Sequence, residues 1–215
     1  MPLENRDGYE GQRQNLVENY IKPVGILDDI ILEAFNSVPR HLFVPERFLN
    51  EAYYDMPLPI GERQTISQPS LVALMTQLLQ LKSTDRVLEV GTGTGYQVSI
   101  ISRIAKSVYS IERIQSLAEK AKEIIKSLGY GNIHIIVGDG TKGLAEKAPF
   151  DAIVVTAAAD QIPRALIEQR KEKGRLVIPV GEHFGSQMLK LGTKQKGEMV
   201  WQNVEPVAFV PLVEG

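Results

Sequence analysis

The sequence predicts an α/β fold built on a doubly wound, mostly parallel sheet, and three observations carry that expectation. From Asp85 onward, short runs rich in Val and Ile recur at 86–90, 107–112, 133–137, 151–155 and 174–180. Helical stretches separate the first four, as the crossovers between parallel strands require. After residue 185 the rhythm breaks: SQMLKLGTK, QKGE and MVWQNVEPVAFVPLV leave no room for a crossover helix, so two strands close the chain as an antiparallel hairpin.

Taken in order, residues 1–62 read as a helical and irregular cover. LVENYIK and ILDDIILEAFNSV carry apolar residues at helical spacing, and the second run stops before Pro39, because a residue preceding proline resists the helical region. Between Pro39 and Gly61 stand prolines 39, 45, 57 and 59, which predict a chain laid over a surface without an element of its own. QTISQPS, 64–70, then leads into a helix whose stripe is Leu71, Leu74, Met75, Leu78 and Leu79. With Pro69 at the first helical position, Gln68 becomes a poor cap and Ser67 stays outside the helix. Further on, QSLAEKAKEIIKSLG closes at Gly129. The expectation is one domain over 1–215: the cover to 62, a core from 63 to 185 and the hairpin from 186 to 215.

Composition narrows the function. A chain of 215 residues with 43% hydrophobic content can bury one good core. Its net charge of -2 supplies no global basic field for nucleic acid or anionic membranes. MPLENRDGYE lacks the apolar core of a signal peptide and no later run is long enough to span a bilayer, so a cytosolic protein is expected. Cysteine is absent, which removes disulfides, thiolate metal sites and cysteine nucleophiles together. His41, His134 and His183 are scattered without ligand-like spacing, and no metal is expected.

The chemistry gathers at a glycine loop. The strand RVLEV runs into GTGTG, 91–95, where glycines allow a tight turn and close approach to a ligand. The next strand ends in Glu112, twenty-one residues after Gly91, the place of a ribose-binding acid in a nucleotide-binding βαβ unit. The spacing is G-x-G-x-G and not the G-x-G-x-x-G of dinucleotide sites. Glu89, two residues before the loop, would oppose a pyrophosphate but suit an ammonium or sulfonium group. These features favour S-adenosylmethionine over NAD; the bland alternative is a plain strand-to-helix turn. GDG, 138–140, follows the third strand, so Asp139 and Gly140 would face the same crevice and meet an adenine amino group. Alternatively, Asp139 caps the helix expected over TKGLAEKA.

VLEVGTGTGY, the acid in SIER, GDG and PFDAIVVTAAA together resemble the class I methyltransferase signature. VPRHLFVPE, QTISQPSLVA, GRLVIPVG and FVPLV narrow the resemblance, from about residue 15 to the C-terminus, to the protein-L-isoaspartate(D-aspartate) O-methyltransferase family. The resemblance implies that Glu89 and the loop of Gly91, Thr92, Gly93 and Gly95 hold the methionine end of the cofactor. It gives Glu112 the ribose hydroxyls and Asp139 with Gly140 the adenine. Gln64, Thr65, Ile66 and Ser67 would lie where cofactor and substrate meet, Ser67 matching the family's proposed catalytic serine, with Thr65, Ser67 and Val213 on the substrate side. The implied reaction methylates the free α-carboxylate of L-isoaspartyl residues in damaged proteins and peptides, and the ester returns through a succinimide to aspartate. Whether D-aspartyl residues are accepted stays open. The implied enzyme is a monomer with no nucleic acid or membrane partner.

That chemistry agrees with what the sequence lacks. A carboxylate nucleophile is ionised at pH 7, its unperturbed pKa lying near 4, and a sulfonium departs as a neutral thioether, so neither general base nor general acid is required. Holding the two groups in line and excluding water remains, with Thr65 and Ser67 expected to face the methyl. FVPLV, 209–213, either lends edge groups to an extended peptide or is an ordinary sheet strand with Pro211 guarding an edge. A nucleic-acid methyltransferase would want an Asn or Asp with two prolines and an aromatic where TAAADQIP stands. A small-molecule O-methyltransferase is the nearer rival, and QTISQPS argues against it.

Overall fold

Residues 8–182 and 185–214 are described by the computed structural model; residues 1–7 and His183, read above for a signal sequence and a metal site, lie outside them. Among the described residues the main sheet has seven strands: β3 (Arg86–Val90), β4 (Ser107–Glu112), β5 (Ile133–Val137), β6 (Phe150–Val155), β7 (Arg170–Gly181), β8 (Gln187–Gln195) and β9 (Glu198–Val207). Their spatial order is β5-β4-β3-β6-β7-β8-β9, parallel from β5 through β7 and antiparallel from β7 through β9. The chain thus builds outward from β3 to β5 and then returns to β3's other side with β6. This reversal leaves a crevice at the carboxyl ends of β3 and β6, where ligands bind in open α/β sheets.

β3 lies between β4 and β6 and is buried on both faces, which is why RVLEV reads as a nearly continuous apolar run. Its register fixes what its one interior charge meets: Glu89 pairs with Ser110 of β4 and Val154 of β6. After β3 comes α4 (Tyr96–Ser102), buried over its whole length because the N-terminal cover lies on it. Tyr96 meets Phe35 and Phe43 edge-on, at ring-centroid distances of 6.2 and 5.6 Å. α5 (Gln115–Ser127) is the amphipathic crossover to β5, ended by Gly129 at φ 72° as expected.

The cover holds α1 (Glu10–Leu16), which continues through a π turn over Val17–Ile21 and a 3₁₀ turn over Lys22–Val24, and α2 (Asp29–Ser37). α2 starts where Asp28 accepts the Ile30 amide at 3.0 Å and ends ahead of Pro39. The stretch after Pro39 differs from expectation. It forms 3₁₀ turns at Arg40–Phe43 and Glu46–Glu51 and a strand β1 (Leu58–Gly61), with Phe43, Ala52 and Leu58 buried. Prolines punctuate this segment, but its apolar side chains pull it into the core. A second correction concerns TKGLAEKA. With Gly138, Gly140, Gly143 and Pro149 around it, β5 connects to β6 through two 3₁₀ turns, Gly140–Lys142 and Ala145–Lys147, and no α-helix. FVPLV is not a strand of the sheet either: β9 ends at Val207, and only Pro211 bridges, to Ala158.

Candidate active site

Gly91 begins the loop at φ 97°, a conformation that side chains resist, and a Cβ there would collide with Thr156 Oγ1. The closeness is used. Thr156 at the end of β6 donates from Oγ1 to the Gly91 carbonyl at 2.6 Å and from its backbone amide to the Val90 carbonyl at 2.9 Å, tying the two strand ends that frame the crevice. Gly140 is fitted as tightly, since a Cβ would collide with Val90 Cγ1.

Glu112 ends β4 and accepts two backbone amides, Gly93 at 2.8 Å and Ile114 at 2.9 Å. Its carboxylate therefore sets the glycine loop against the entry to α5 (Gln115–Ser127). Glu89 is deeper and fully buried; Oε2 accepts from Ser110 Oγ at 2.5 Å, and Ser110 Oγ lies 2.6 Å from Thr92 Oγ1. Burial, with a smaller push from the Glu112 charge, raises the Glu89 carboxyl to about 8 against the opposing pull of Ser110. The Val98 amide approaches Glu89 and favours its charged form, yet Oε1 completes no hydrogen bond.

Across the crevice, β2 (Gln64–Ile66) pairs antiparallel with β1, Thr65 opposite Pro59 and Ile66 opposite Leu58. α3 (Pro69–Leu79) follows, with Gln68 at the cap position making no capping hydrogen bond, as the sequence implied. The first turn is capped from elsewhere: Asp55 accepts the Ser70 amide at 2.8 Å and the Ser70 hydroxyl at 2.7 Å. Ser67 stays outside the helix, and its carbonyl accepts from Arg40 Nη2 at 2.8 Å.

Two adjoining spaces result. An outer cleft is lined by Gln64, Glu112, Gly140 and the terminal arm Val210–Val213; an inner cavity by Ile66, Ser67, Glu89, Thr92 and Gln97; Thr65, Gly91, Gly93 and Thr156 border both. Gly95 does not border either space and turns the chain into α4, and Val213 stands 43% exposed at the mouth. Asp139 is the residue whose carboxylate is used otherwise. It caps the turn after β5, accepting Thr141 N at 2.9 Å and Thr141 Oγ1 at 2.6 Å and pairing with Lys142 at 3.2 Å, so of GDG it is Gly140 that reaches the cleft. The arm is docked by main chain: Ala158 N donates to the Val210 carbonyl at 2.8 Å and Leu212 N to the Ala158 carbonyl at 2.7 Å. Thr156, Gln97 and Ala158 were not singled out from sequence. Thr156 carried a usable signal, its place at the carboxyl end of a central strand beside the switch point.

The model of the family described as protein-L-isoaspartate(D-aspartate) O-methyltransferase matches residues 11–215. The chain belongs to this family. Relatives in it include protein-L-isoaspartate O-methyltransferase 2 of Shewanella sediminis, 47% identical over 99% of this chain and 87% of its own length. That of Dictyoglomus turgidum is 50% identical over 95% and 92%. Among solved structures, a protein-L-isoaspartate O-methyltransferase superposes with a TM-score of 0.85 at 33% identity, covering 93% of this chain and 65% of that longer one. A Plasmodium falciparum protein described as a putative member, in complex with S-adenosyl-L-homocysteine, gives 0.79 at 28% identity over 96% and 99%.

For an isoaspartate methyltransferase the donor set fits S-adenosylmethionine. The inner cavity holds a carboxylate with an unpartnered oxygen, suited to a cationic group, and the outer cleft has an acid at the tip of the second strand and a close-packed glycine where a flat base could lie. No helix among the described residues is long and apolar enough to cross a membrane.

Proposed function

We infer that the crevice at the carboxyl ends of β3 and β6 brings S-adenosylmethionine against the free α-carboxylate of an L-isoaspartyl residue in a damaged protein or peptide. The chain is an S-adenosylmethionine-dependent protein carboxyl O-methyltransferase of the repair type. One observation carries the substrate side: across from the glycine loop, the wall is a polar strip, Thr65–Ser67, continued by an extended main-chain arm, Val210–Val213. Such an arm suits a substrate that differs from aspartate in its backbone.

S-adenosylmethionine supplies a methyl on a positively charged sulfur, and methyl transfer to the carboxylate oxygen yields a methyl ester and a neutral thioether. Glu89 and the glycine loop hold the amino-acid end, Glu112 the ribose hydroxyls, and the Gly140 backbone the adenine, with Asp139 fixing the turn that presents it. Ser67 orients the attacking carboxylate with its hydroxyl beside Thr65. Because the nucleophile is already ionised, these groups position and desolvate and the transfer itself moves no proton; Glu89, held protonated by burial in the ligand-free chain, releases its proton when the ammonium binds. The following backbone nitrogen then attacks the ester carbonyl and expels methanol, which takes up the amide proton, and water reopens the succinimide in part as aspartate. The chain is further read as a cytosolic monomer whose partners are isoaspartyl proteins and not nucleic acid or membrane, with its net charge of -2 in support. The deciding experiment is methyl-ester formation on an isoaspartyl peptide beside its aspartyl twin: transfer to the first alone is expected, and equal transfer to both would overturn the reading.

A further inference from the structure

Polar groups carried into a buried helix need partners, and the serines of α4 find theirs in the backbone. Ser99 Oγ donates to the Gly95 carbonyl at 2.6 Å and Ser102 Oγ to the Ser99 carbonyl at 2.7 Å. Gln97 differs. It is 6% exposed, and neither its Nε2 nor its Oε1 has a hydrogen-bond partner. A buried amide left in that condition keeps the full desolvation penalty of both its groups. If packing were its whole purpose, Leu or Met would fill the same volume without that cost.

The amide borders the inner cavity together with Glu89, whose Oε1 is also unpartnered. It does not border the outer cleft, where the arm Val210–Val213 stands. The ligand it suits is therefore one that enters beneath the glycine loop and not one lying along the arm. A carboxamide has a donor and an acceptor side by side, and an α-amino acid presents both an ammonium and a carboxylate. Glu89 alone would attract the first and repel the second; a neighbouring N–H donor removes that conflict.

We propose that Gln97 binds the amino-acid end of the methyl donor, its Nε2 donating to the α-carboxylate beside Glu89, which takes the α-ammonium. This rests on the crevice being the S-adenosylmethionine site. The test compares two ligands by calorimetry: S-adenosylhomocysteine, which carries the amino-acid end, and 5′-methylthioadenosine, which lacks it. Gln97→Leu is expected to weaken S-adenosylhomocysteine about tenfold, the loss of one such hydrogen bond, and to leave methylthioadenosine and the peptide KM unchanged. Unchanged S-adenosylhomocysteine affinity overturns the assignment, as does an equal loss for both ligands. A raised peptide KM with intact S-adenosylhomocysteine binding overturns it too, by giving the amide to the substrate. Gln97→Glu keeps the polarity and length should the leucine variant fail to fold, and its second carboxylate is expected to weaken S-adenosylhomocysteine more than tenfold with methylthioadenosine again unchanged. Failure of the parent chain to bind either ligand would instead sink the functional reading of the crevice itself.

Discussion

The buried guanidinium of Arg40 donates from Nη2 to the carbonyl of Ser67 at 2.8 Å and from Nε to that of Ala52 at 2.9 Å, so the N-terminal cover grips the polar strip by its backbone. Its cationic plane lies over the Tyr96 ring, 4.7 Å from the centroid, and burial pulls its pKa below the ordinary range. Arg40 thus joins three elements: the turn after Pro39, the strip before α3 and the start of α4. Arg40→Met is expected to lower the melting temperature by about 5 °C, since two buried carbonyls lose donors at about 1–3 kcal/mol each and relief of a buried charge offsets only part. The same variant should lose about tenfold in kcat with S-adenosylhomocysteine affinity within about twofold, one lost hydrogen bond corresponding to roughly that factor. Arg40→Lys, which keeps one donor, should recover part of both. Full kcat in the folded methionine variant would show that the strip holds its place without this grip.

Ser67 itself is expected to act on the substrate carboxylate and not on the cofactor. Its hydroxyl is free of helix capping, because Gln68 occupies the cap position and Asp55 satisfies the first turn. Ser67→Ala should therefore reduce kcat by about 10–100-fold, the range of a hydrogen bond to a charged group, while S-adenosylhomocysteine titration stays unchanged. Activity equal to the parent would remove the hydroxyl from the mechanism.

The contrast between Gln68 and Asp55 also marks how far sequence could go. Pro69 and a weak capper beside it are local facts, and they placed Ser67 outside the helix correctly. The replacement capper stands fifteen residues from Ser70, and only the fold brings it there. The parallel strands were legible for a similar reason: β3 and β6 are buried on both faces and so nearly apolar throughout, and the edge strand β5 repeats the Val/Ile run although His134 and Val137 are exposed. Asp139 shows the opposite case. GDG places a carboxylate at the right sheet edge, but whether that carboxylate turns to the crevice or to its own backbone depends on rotamer and on a neighbouring Thr and Lys, which the spacing does not encode. FVPLV stayed open between two readings in the same way, since strand-like composition could not reveal that a side chain would end its pairing.

That side chain is Gln187, at the start of β8, whose amide mimics a strand partner for Phe209. Oε1 accepts the Phe209 amide at 2.6 Å and Nε2 donates to its carbonyl at 3.1 Å, turning the chain out of the sheet and along the cleft. Gln187→Leu removes both bonds where the arm begins. The expected result is a peptide KM raised about fivefold to tenfold, on the scale of one to two hydrogen bonds, with S-adenosylhomocysteine affinity held. An unchanged peptide KM would mean that the arm does not contact substrate.

Glu89 gives the enzyme a pH-dependent stability that one isosteric change should isolate. Its folded pKa stands near 8, against an ordinary 4.5, because burial disfavours the carboxylate. A raised carboxyl pKa means that the folded state binds the proton more tightly than the unfolded chain. The stability associated with it is complete below pH 4.5 and is lost steadily as pH rises, until the folded group ionises near 8. The carboxamide introduced by Glu89→Gln resembles the protonated acid in shape and hydrogen bonding and does not titrate. The ligand-free parent should therefore fall behind the variant between about pH 5 and about pH 8, by on the order of a few kcal/mol at most, or several degrees in melting temperature for a chain of this size. Groups other than Glu112, whose charge pushes on Glu89, affect both proteins alike, so the difference between the two melting curves against pH reports Glu89 and its coupling to Glu112. Parallel curves would show that Glu89 is ionised in the folded protein across the whole range, with its charge met by groups other than Ser110.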